Sequence, residues 1–340
     1  MIIDIHAHVC AAPELYAWKD QIFAASGALG ARERKWDVDW VREHPMTTNN
    51  IAIMDKVGTD VQFISPRPYT QAHSEKPSKL AHYWNTGANN YIAKVVEAHP
   101  SRFRGVVGLP QPVGRPIEES LPELERCITE LGFVGTLLDT DPGEGDNSTP
   151  RLDDEYWYPL WAKMVELDVP ALIHSAGCKH GRETYSEHFI SEESMAILSL
   201  ANSRVFHDFP GLKIIVAHGG GSVPYQIGRW RAERGLPGVK PAHGIEETFD
   251  ESMRHLFFDS VLHEGKSLAL LLDLVGSDRI LFGTENPGAG SAIDPRTGRS
   301  YDDIKPTIEE IPGITPDDCT KIFEANARRL FTRFQDSPVI

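Results

Sequence analysis

Two histidines near the start of the chain have a spacing that suits metal binding. His6 and His8 stand two residues apart at the end of an apolar segment that begins at Met1. If this segment is a β-strand, its alternation sends both imidazoles to the same face. Two imidazoles on one face are natural ligands for a metal ion such as zinc. A His-x-His pair by itself is weak evidence, because such pairs also occur on ordinary protein surfaces.

Three more titratable side chains follow other short apolar segments of the chain, namely His174, His218 and Glu285. In a closed α/β barrel the parallel strands present their carboxyl ends at one mouth, where these barrels hold their active sites. A single histidine at a strand end is more often structural than catalytic. Five groups that converge on one mouth instead indicate a metal-dependent catalytic site.

The elements that would position these residues alternate between strand and helix. Eight β-branched or apolar segments are predicted as strands: Ile2–Ile5, Val61–Ser65, Gly105–Leu109, Val134–Leu138, Ala171–Ile173, Lys213–Ala217, Leu256–Asp259 and Ile280–Gly283. Helices are predicted between them, at Pro77–Ala98, Pro116–Leu131, Glu155–Leu167, Glu192–Phe206, Val223–Glu233 and Leu268–Val275. Strands that alternate with helices pair in parallel through crossovers. The pattern predicts the α/β class, as a closed (β/α)8 barrel of the TIM type that residues 1–340 form as one domain.

Three stretches depart from this alternation. Residues 10–46 contain Trp18, Trp36 and Trp40 without a clear strand, which predicts an insertion after the first strand that serves as a lid or an interface. Residues 236–244, rich in proline and glycine, predict a loop. From Ser300 onward the sequence predicts extra C-terminal helices packed on the outside of the barrel.

The composition is that of an ordinary globular protein and excludes several classes of function. The 340 residues include 34 Lys and Arg against 49 Asp and Glu, which gives a net charge of −15. This charge repels nucleic-acid phosphates and anionic membrane surfaces, so we expect neither as a partner. Four scattered cysteines, without a signal sequence or a spanning segment in the chain, predict a cytoplasmic protein.

The strand-end motifs resemble those of the amidohydrolase superfamily, in its branch of one-metal decarboxylases and hydratases. The resemblance rests on the His-x-His pair, on single histidines after the fifth and sixth predicted strands, and on the acid after the eighth; it covers essentially the whole chain. The motifs His218-Gly219-Gly220-Gly221 and Gly283-Thr284-Glu285-Asn286 are most similar to those of the hydratases. The decarboxylases usually carry Asp in the second motif, so the longer Glu285 favours hydration.

This resemblance implies a cofactor and a reaction. One Zn²⁺ per chain would be held by His6, His8 and His174, with Glu285 as a fourth ligand or as an acid close to the metal. The substrate would be a conjugated 2-oxo tricarboxylic acid, or its enol tautomer, from the breakdown of lignin-derived aromatic acids. Glu285 would be the base that takes a proton from water, and His218 the acid that returns one to the substrate.

A tricarboxylate needs cationic groups in its pocket, because the chain as a whole is negatively charged. Arg67 follows the second predicted strand, and Arg229 lies on the helix after the glycine run, so both are candidates for binding a substrate carboxylate. His73 is a third, weaker candidate. The alternative for each of the three is a salt bridge that has no part in binding.

Other functions stay open on the sequence alone. A decarboxylase of the same branch would use the metal to anchor the carboxylate that leaves. A lactone or amide hydrolase would fit the superfamily's name, and a binding protein without enzymatic activity is a further alternative. We also expect a homo-oligomer, with a dimer as the simplest assembly, because barrels of this branch commonly assemble.

Overall fold

A computed structural model describes residues 1–28, 34–237 and 246–334 of the chain. All eight predicted strands are present, with small changes at their ends. They are β1 (Ile3–His8), β2 (Val61–Ser65), β3 (Phe103–Gly108), β4 (Gly135–Leu138), β5 (Ala171–Ile173), β6 (Ile214–Val216), β7 (Leu256–Asp259) and β8 (Ile280–Leu281). Most of the predicted loop at residues 236–244 lies outside the described residues.

The strands form one parallel sheet in sequence order, each paired with the next along the chain. Backbone hydrogen bonds then join its two edges. Ile5 N–H donates to Phe282 O (2.9 Å), and Glu285 N–H donates to His6 O (2.6 Å). The sheet is therefore a nearly closed (β/α)8 barrel of the TIM type, as the sequence predicted.

The helices between the strands cover the outside of this barrel. They are α1 (Pro13–Ala24), α2 (Val38–Glu43), α3 (Pro45–Val57), α4 (Lys79–Ala98), α5 (Leu121–Thr129), α6 (Tyr158–Leu167), α7 (Tyr185–Ala201), α8 (Val205–Asp208), α9 (Ile227–Arg234), α10 (Phe249–Met253) and α11 (Gly265–Val275). The predicted helix at Glu192–Phe206 begins seven residues early, at Tyr185, where Thr184 and Glu187 form a capping box. This earlier start matters, because the first turns of α7 reach the mouth of the barrel.

The insertion after β1 folds onto the outer layer of the barrel. Its helices α1 and α2 pack on α4, where the ring of Trp18 lies against Gly87 so closely that any side chain at residue 87 would collide with it. The described residues of the insertion do not line the main cavity at the mouth. In the described residues Trp18 and Trp36 pack against Trp84 and Tyr91 of α4, and a role of the insertion as a lid or an interface stays a prediction.

The C-terminal segment contains α12 (Ile304–Glu309), α13 (Pro316–Thr320), a π-helical turn (Lys321–Ala325) and α14 (Asn326–Leu330). Leu330, Phe331 and Phe334 join a buried cluster that otherwise consists of side chains from the strands, such as Phe63 and Leu172. The ring centroids of Phe63 and Phe331 are 4.9 Å apart. The tail was expected to pack on the outside of the barrel, but its residues 330–334 close the floor of the barrel, opposite the mouth.

Membrane spanning has no support in the described part of the chain. None of the helices in residues 1–28, 34–237 and 246–334 is both long enough and apolar enough to cross a bilayer.

Candidate active site

A cavity of about 820 Å³ opens at the carboxyl ends of the strands. Its lining includes His8, Arg67, Phe189, His218 and Glu285. These side chains come from β1, from the loops after β2, β6 and β8, and from α7, although their positions in the sequence span most of the chain. The mouth of the barrel thus gathers the groups that the strand-end pattern had indicated.

Three histidines form a compact cluster at the base of this cavity. The ring centroid of His6 is 5.2 Å from that of His8 and 5.0 Å from that of His174. One ligand atom from each ring lies within 4.8 Å of the other two. Each Nε2 atom is buried and has no hydrogen-bond partner among the described residues. Buried polar atoms are normally paired, so three unpaired nitrogens that converge fit a metal ion between them.

The other nitrogen of each ring is held in place. His6 Nδ1 lies 2.5 Å from Asp259 Oδ2, and His8 Nδ1 lies 2.9 Å from Ser65 Oγ. His174 Nδ1 donates to the backbone oxygen of Ser175 at 2.7 Å. Such partners fix the tautomer and the orientation of metal-binding imidazoles.

Burial also sets the charge of two of these rings. It lowers the pKa of His6, although Asp259 opposes the shift, and it lowers the pKa of His8 well below its ordinary value with help from His6 and His174. A histidine must be neutral to bind a metal ion. The residues present therefore fit the divalent metal that the fold implies.

Glu285 faces the histidine cluster from the end of β8. Its Oε1 atom lies 3.9 Å from His174 Nε2 and 3.4 Å from His218 Nε2. Burial by itself would raise the pKa of Glu285, but the nearby imidazoles of His174 and His218 hold this pKa well below the ordinary range. The carboxylate is therefore ionised and available either to a metal ion or to a proton.

His218 lies on a sharp turn at the end of β6. It has a positive φ of 49°, and the three glycines that follow it also have positive φ values. A Cβ atom at Gly219 would lie 2.6 Å from Leu262, so a side chain has no room there. The glycine run therefore makes a tight turn that turns the imidazole toward the cavity.

A carboxylate that was not predicted from the sequence contacts the ring nitrogen of His218 that points away from Glu285. Glu193 of α7 is fully buried, and its Oε1 atom lies 2.8 Å from His218 Nδ1. Burial opposes the charged imidazole, but Glu193 and Glu285 raise the pKa of His218 well above its ordinary value. His218 thus carries a proton between two carboxylates, which suits a general acid.

Asp259 is the second residue that the analysis missed. It ends β7, a strand that the sequence predicted with the correct bounds, so the strand-end rule could have found it. Its Oδ1 atom accepts hydrogen bonds from the N–H groups of Gly219 and Val261, while Oδ2 holds His6. Glu193 offered no comparable signal, because it lies within a helix beside another glutamate.

The three proposed substrate-binding residues lie in different places. Arg67 lines the cavity and donates through Nη1 to Tyr69 Oη at 3.2 Å. Arg229 is exposed on α9 and does not line the cavity. His73 is completely buried, with Nε2 bonded to Leu109 O and Nδ1 2.9 Å from Asp139 Oδ2. Arg67 is thus the one of the three that lines this cavity, whereas a part for His73 or Arg229 in substrate binding stays a prediction.

The chain is similar to known proteins over nearly its whole length. The model of the amidohydrolase family matches residues 3–333. The chain is 37% identical over 337 residues to a 2-keto-4-carboxy-3-hexenedioate hydratase from Sphingobium sp. (strain NBRC 103272 / SYK-6), and the match covers 98% of this chain and 96% of that protein.

Two solved structures are also similar. The crystal structure of 4-oxalomesaconate hydratase from Rhodopseudomonas palustris has a TM-score of 0.82 and 32% identity, with 98% of this chain and 96% of that chain covered. A dihydroxybenzoic acid decarboxylase from Polaromonas sp. JS666, solved with bound manganese, has a TM-score of 0.72 and 23% identity, with 97% and 96% covered, a likeness of fold alone. The chain therefore belongs to the amidohydrolase family and is, within its branch of decarboxylases and hydratases, an enzyme of the hydro-lyase class.

Proposed function

We propose that this enzyme adds water to 4-oxalomesaconate, as the keto or the enol tautomer, and forms 4-carboxy-4-hydroxy-2-oxoadipate. The reaction would serve the degradation of protocatechuate and gallate by 4,5-cleavage, and the cofactor would be one Zn²⁺ per chain. The observation that carries the proposal is the contact of His218 Nε2 with Glu285 Oε1 at 3.4 Å, beside three unpaired histidine nitrogens. An acid and a base at one metal site are what hydration of a double bond requires.

The metal would be held by His6, His8 and His174, with Glu285 as a fourth ligand or a close neighbour. When bound, a divalent metal supplies a Lewis acid that lowers the pKa of water and polarises an oxo group. Zinc fits three histidines and a carboxylate, and this donor set also accommodates manganese.

Glu285 and His218 divide the proton transfers between them. Glu285 is ionised, so its carboxylate takes a proton from the attacking water as the new carbon–oxygen bond forms. The electrons of the carbon–carbon double bond move toward the oxo acid and produce an enolate. The enolate carbon, adjacent to the one that bears the new hydroxyl group, then takes a proton from the imidazolium of His218, which restores the oxo group.

After the reaction, Glu285 and His218 can return to their initial protonation states without another protein group. His218 Nε2 and Glu285 Oε1 lie 3.4 Å apart, so the proton that Glu285 gains can pass back to His218 directly or through one water. Glu193, at 2.8 Å from the other ring nitrogen, keeps His218 cationic for the next turnover. The net change is the addition of one water to the substrate.

Arg67 supplies a positive charge to the substrate pocket. Its guanidinium group is half-buried, lines the cavity, and is oriented by Tyr69 Oη. A charge-assisted pair with one substrate carboxylate offsets part of the repulsion that the net charge of −15 exerts on a trianion. Neutral donors in the cavity, such as the hydroxyl groups of Tyr69 and Tyr185, are available for the other carboxylates.

A spectrophotometric assay tests this function. Zinc-loaded protein is mixed with 4-oxalomesaconate, and the ultraviolet absorbance of the conjugated acid is followed. The mass of the product is then measured by mass spectrometry. We expect absorbance to fall and the product to be heavier by one water, and we expect Glu285→Gln to abolish both changes. Release of carbon dioxide would instead assign a decarboxylase, and an unchanged spectrum would reject this substrate.

A further inference from the structure

A second set of metal-ligand side chains lies beside the catalytic cavity, on another face of α7. His188 and Glu192 stand four residues apart on this helix, one turn from each other, and Asp141 lies in the loop after β4. One ligand atom from each of the three lies within 4.8 Å of the other two. The three side chains line a separate cavity of about 430 Å³.

His188 is oriented in the same way as the histidines of the catalytic cluster. Its side chain is 2% exposed, and its Nδ1 atom lies 3.3 Å from Glu183 Oε1. Its Nε2 atom is buried without a hydrogen-bond partner in the described part of the chain. Among the described histidines, those with such a buried, unpaired Nε2 atom are His188 and the three of the catalytic cluster.

The unpaired nitrogen faces a carboxylate. His188 Nε2 lies 3.3 Å from Asp141 Oδ2, yet the geometry of the two atoms does not make a hydrogen bond. A ring nitrogen and a carboxylate oxygen that converge in this way suit a cation that both atoms bind. Glu183 on Nδ1 then has the role of the outer carboxylate that orients a metal-binding imidazole.

The charges around this cavity favour a cation. Burial, together with the negative charges of Asp141, Asp139 and Glu183, raises the pKa of Glu192 to about 7, although His188 acts in the opposite direction. Beyond the effect of burial, part of this shift reflects the repulsion between the carboxylates when all are ionised. A divalent cation between Asp141 and Glu192 would remove this repulsion.

We propose that Asp141, His188 and Glu192 bind a second divalent cation, distinct from the catalytic metal. One imidazole and two carboxylates suit Zn²⁺ or Mn²⁺, with water in the remaining positions. Thr140, whose buried Oγ1 atom also lacks a partner among the described residues, lines the same cavity. The cation would join the loop after β4 to α7, the helix that carries Glu193 to His218.

Without the cation, a proton on His188 takes its place. Burial lowers the pKa of His188, but the hydrogen bond of its Nδ1 atom with Glu183 and the nearby carboxylates of Asp141 and Glu192 raise this pKa to about 9. The imidazole is therefore cationic at neutral pH in the metal-free protein. Binding of a metal must displace this proton, so we expect about one proton to be released for each ion bound at neutral pH.

Counting of bound Mn²⁺ tests the proposal without any measurement of activity. Metal-depleted protein is titrated with Mn²⁺, and the free ion is followed by electron paramagnetic resonance. We expect two ions per chain in the unaltered protein and one in His188→Gln. The double variant His6→Asn/His8→Asn should keep one ion, and this ion should be lost when His188→Gln is added.

Two further variants separate loss of the second metal site from a general folding defect. Glu192→Gln keeps the contact between His188 and Asp141, and it should weaken binding of the second ion about tenfold or more. Glu166→Gln, an exposed charge at the end of α6, should leave both sites unchanged. If the unaltered protein binds one ion per chain and neither His188→Gln nor Glu192→Gln alters that binding, the second site does not exist and His188 is a protonated ion-pair residue.

Discussion

Glu193 Oε1 lies 2.8 Å from His218 Nδ1, and the opposite ring nitrogen of His218 lies 3.4 Å from Glu285 Oε1. The imidazole thus stands between two carboxylates, one fully buried on α7 and one at the edge of the cavity. This arrangement gives the two carboxylates different tasks. In the mechanism that we propose, Glu193 holds the ring and its charge, whereas Glu285 exchanges protons with water.

Replacement of Glu193 by Gln should therefore lower kcat more than it raises KM. The amide keeps the size of the side chain but removes the negative charge that raises the pKa of His218. We expect kcat to fall about 10- to 100-fold, less than the roughly 100- to 10,000-fold that general acid catalysis contributes, because the imidazole itself stays in place. The alkaline limb of the profile of kcat against pH should also move to lower pH, which steady-state rates across pH would detect. A profile that keeps its position would show that Glu193 does not set the charge of His218.

Arg67 and Arg229 allow a matched test of substrate binding. Arg67 lines the cavity, and Arg229 is exposed outside it. Loss of a charge-assisted hydrogen bond costs about 1.5–3 kcal/mol, so Arg67→Met should raise KM about 10- to 100-fold. Arg229→Met should change KM less than about twofold, because surface charges contribute little. Equal changes of KM in the two variants would contradict the assignment of Arg67 to substrate binding.

The floor of the barrel should contribute strongly to stability. Phe331 is 3% exposed and packs edge-on against Phe63 inside the barrel. Phe331→Ala should lower the free energy of unfolding by about 3–5 kcal/mol, because it leaves a cavity in a closed cluster. Leu270→Ala, at a residue that is 37% exposed on α11, should cost less than about 1 kcal/mol. Urea unfolding of both variants measures the difference, and similar costs would argue against a packed floor.

The raised pKa of His188 predicts how stability depends on pH in the metal-free protein. This pKa is about 9 in the folded chain against an ordinary value of 6.5, so the folded state binds the proton more tightly. The resulting stabilisation is complete below pH 6.5 and disappears as the pH rises through 9. We expect a loss on the order of 1–3 kcal/mol across this range.

Comparison with His188→Gln isolates this contribution. Urea midpoints at about pH 6 and about pH 10 should differ less in the variant than in the unaltered protein, because the variant has no imidazole to titrate. Identical pH dependence in the two proteins would mean that the charge of His188 does not stabilise the fold.

Much of the barrel could be predicted from the sequence, because its strands are short, buried and regularly spaced. Each predicted strand overlaps an observed one, and β2, β5 and β7 have the predicted bounds. The mouth could be located for the same reason, since parallel strands bring their ends together. Because only the positions of strand ends are used, His6, His8, His174 and Glu285 could be placed together without any knowledge of side-chain packing.

The residues that were missed or misplaced depend on tertiary contacts instead. Glu193 reaches His218 from the side of a helix, and a helical sequence does not say which face meets the barrel mouth. His73 lies in the loop after β2, but Asp139 and the backbone oxygen of Leu109 already pair with its two ring nitrogens. The segment that follows α14 enters the barrel floor through Phe331 and Phe334, although its aromatic residues equally fit packing on the outside.

If Glu285 and His218 add water to the double bond of 4-oxalomesaconate, as we propose, the oxygen of the new hydroxyl group comes from the solvent. A single turnover of the metal-loaded protein in water labelled with heavy oxygen tests it most directly. We predict a product that has gained one water, carries the heavy oxygen in its new hydroxyl group, and is not formed by Glu285→Gln. A product that has lost carbon dioxide, or one without the heavy oxygen in that hydroxyl group, would contradict the account.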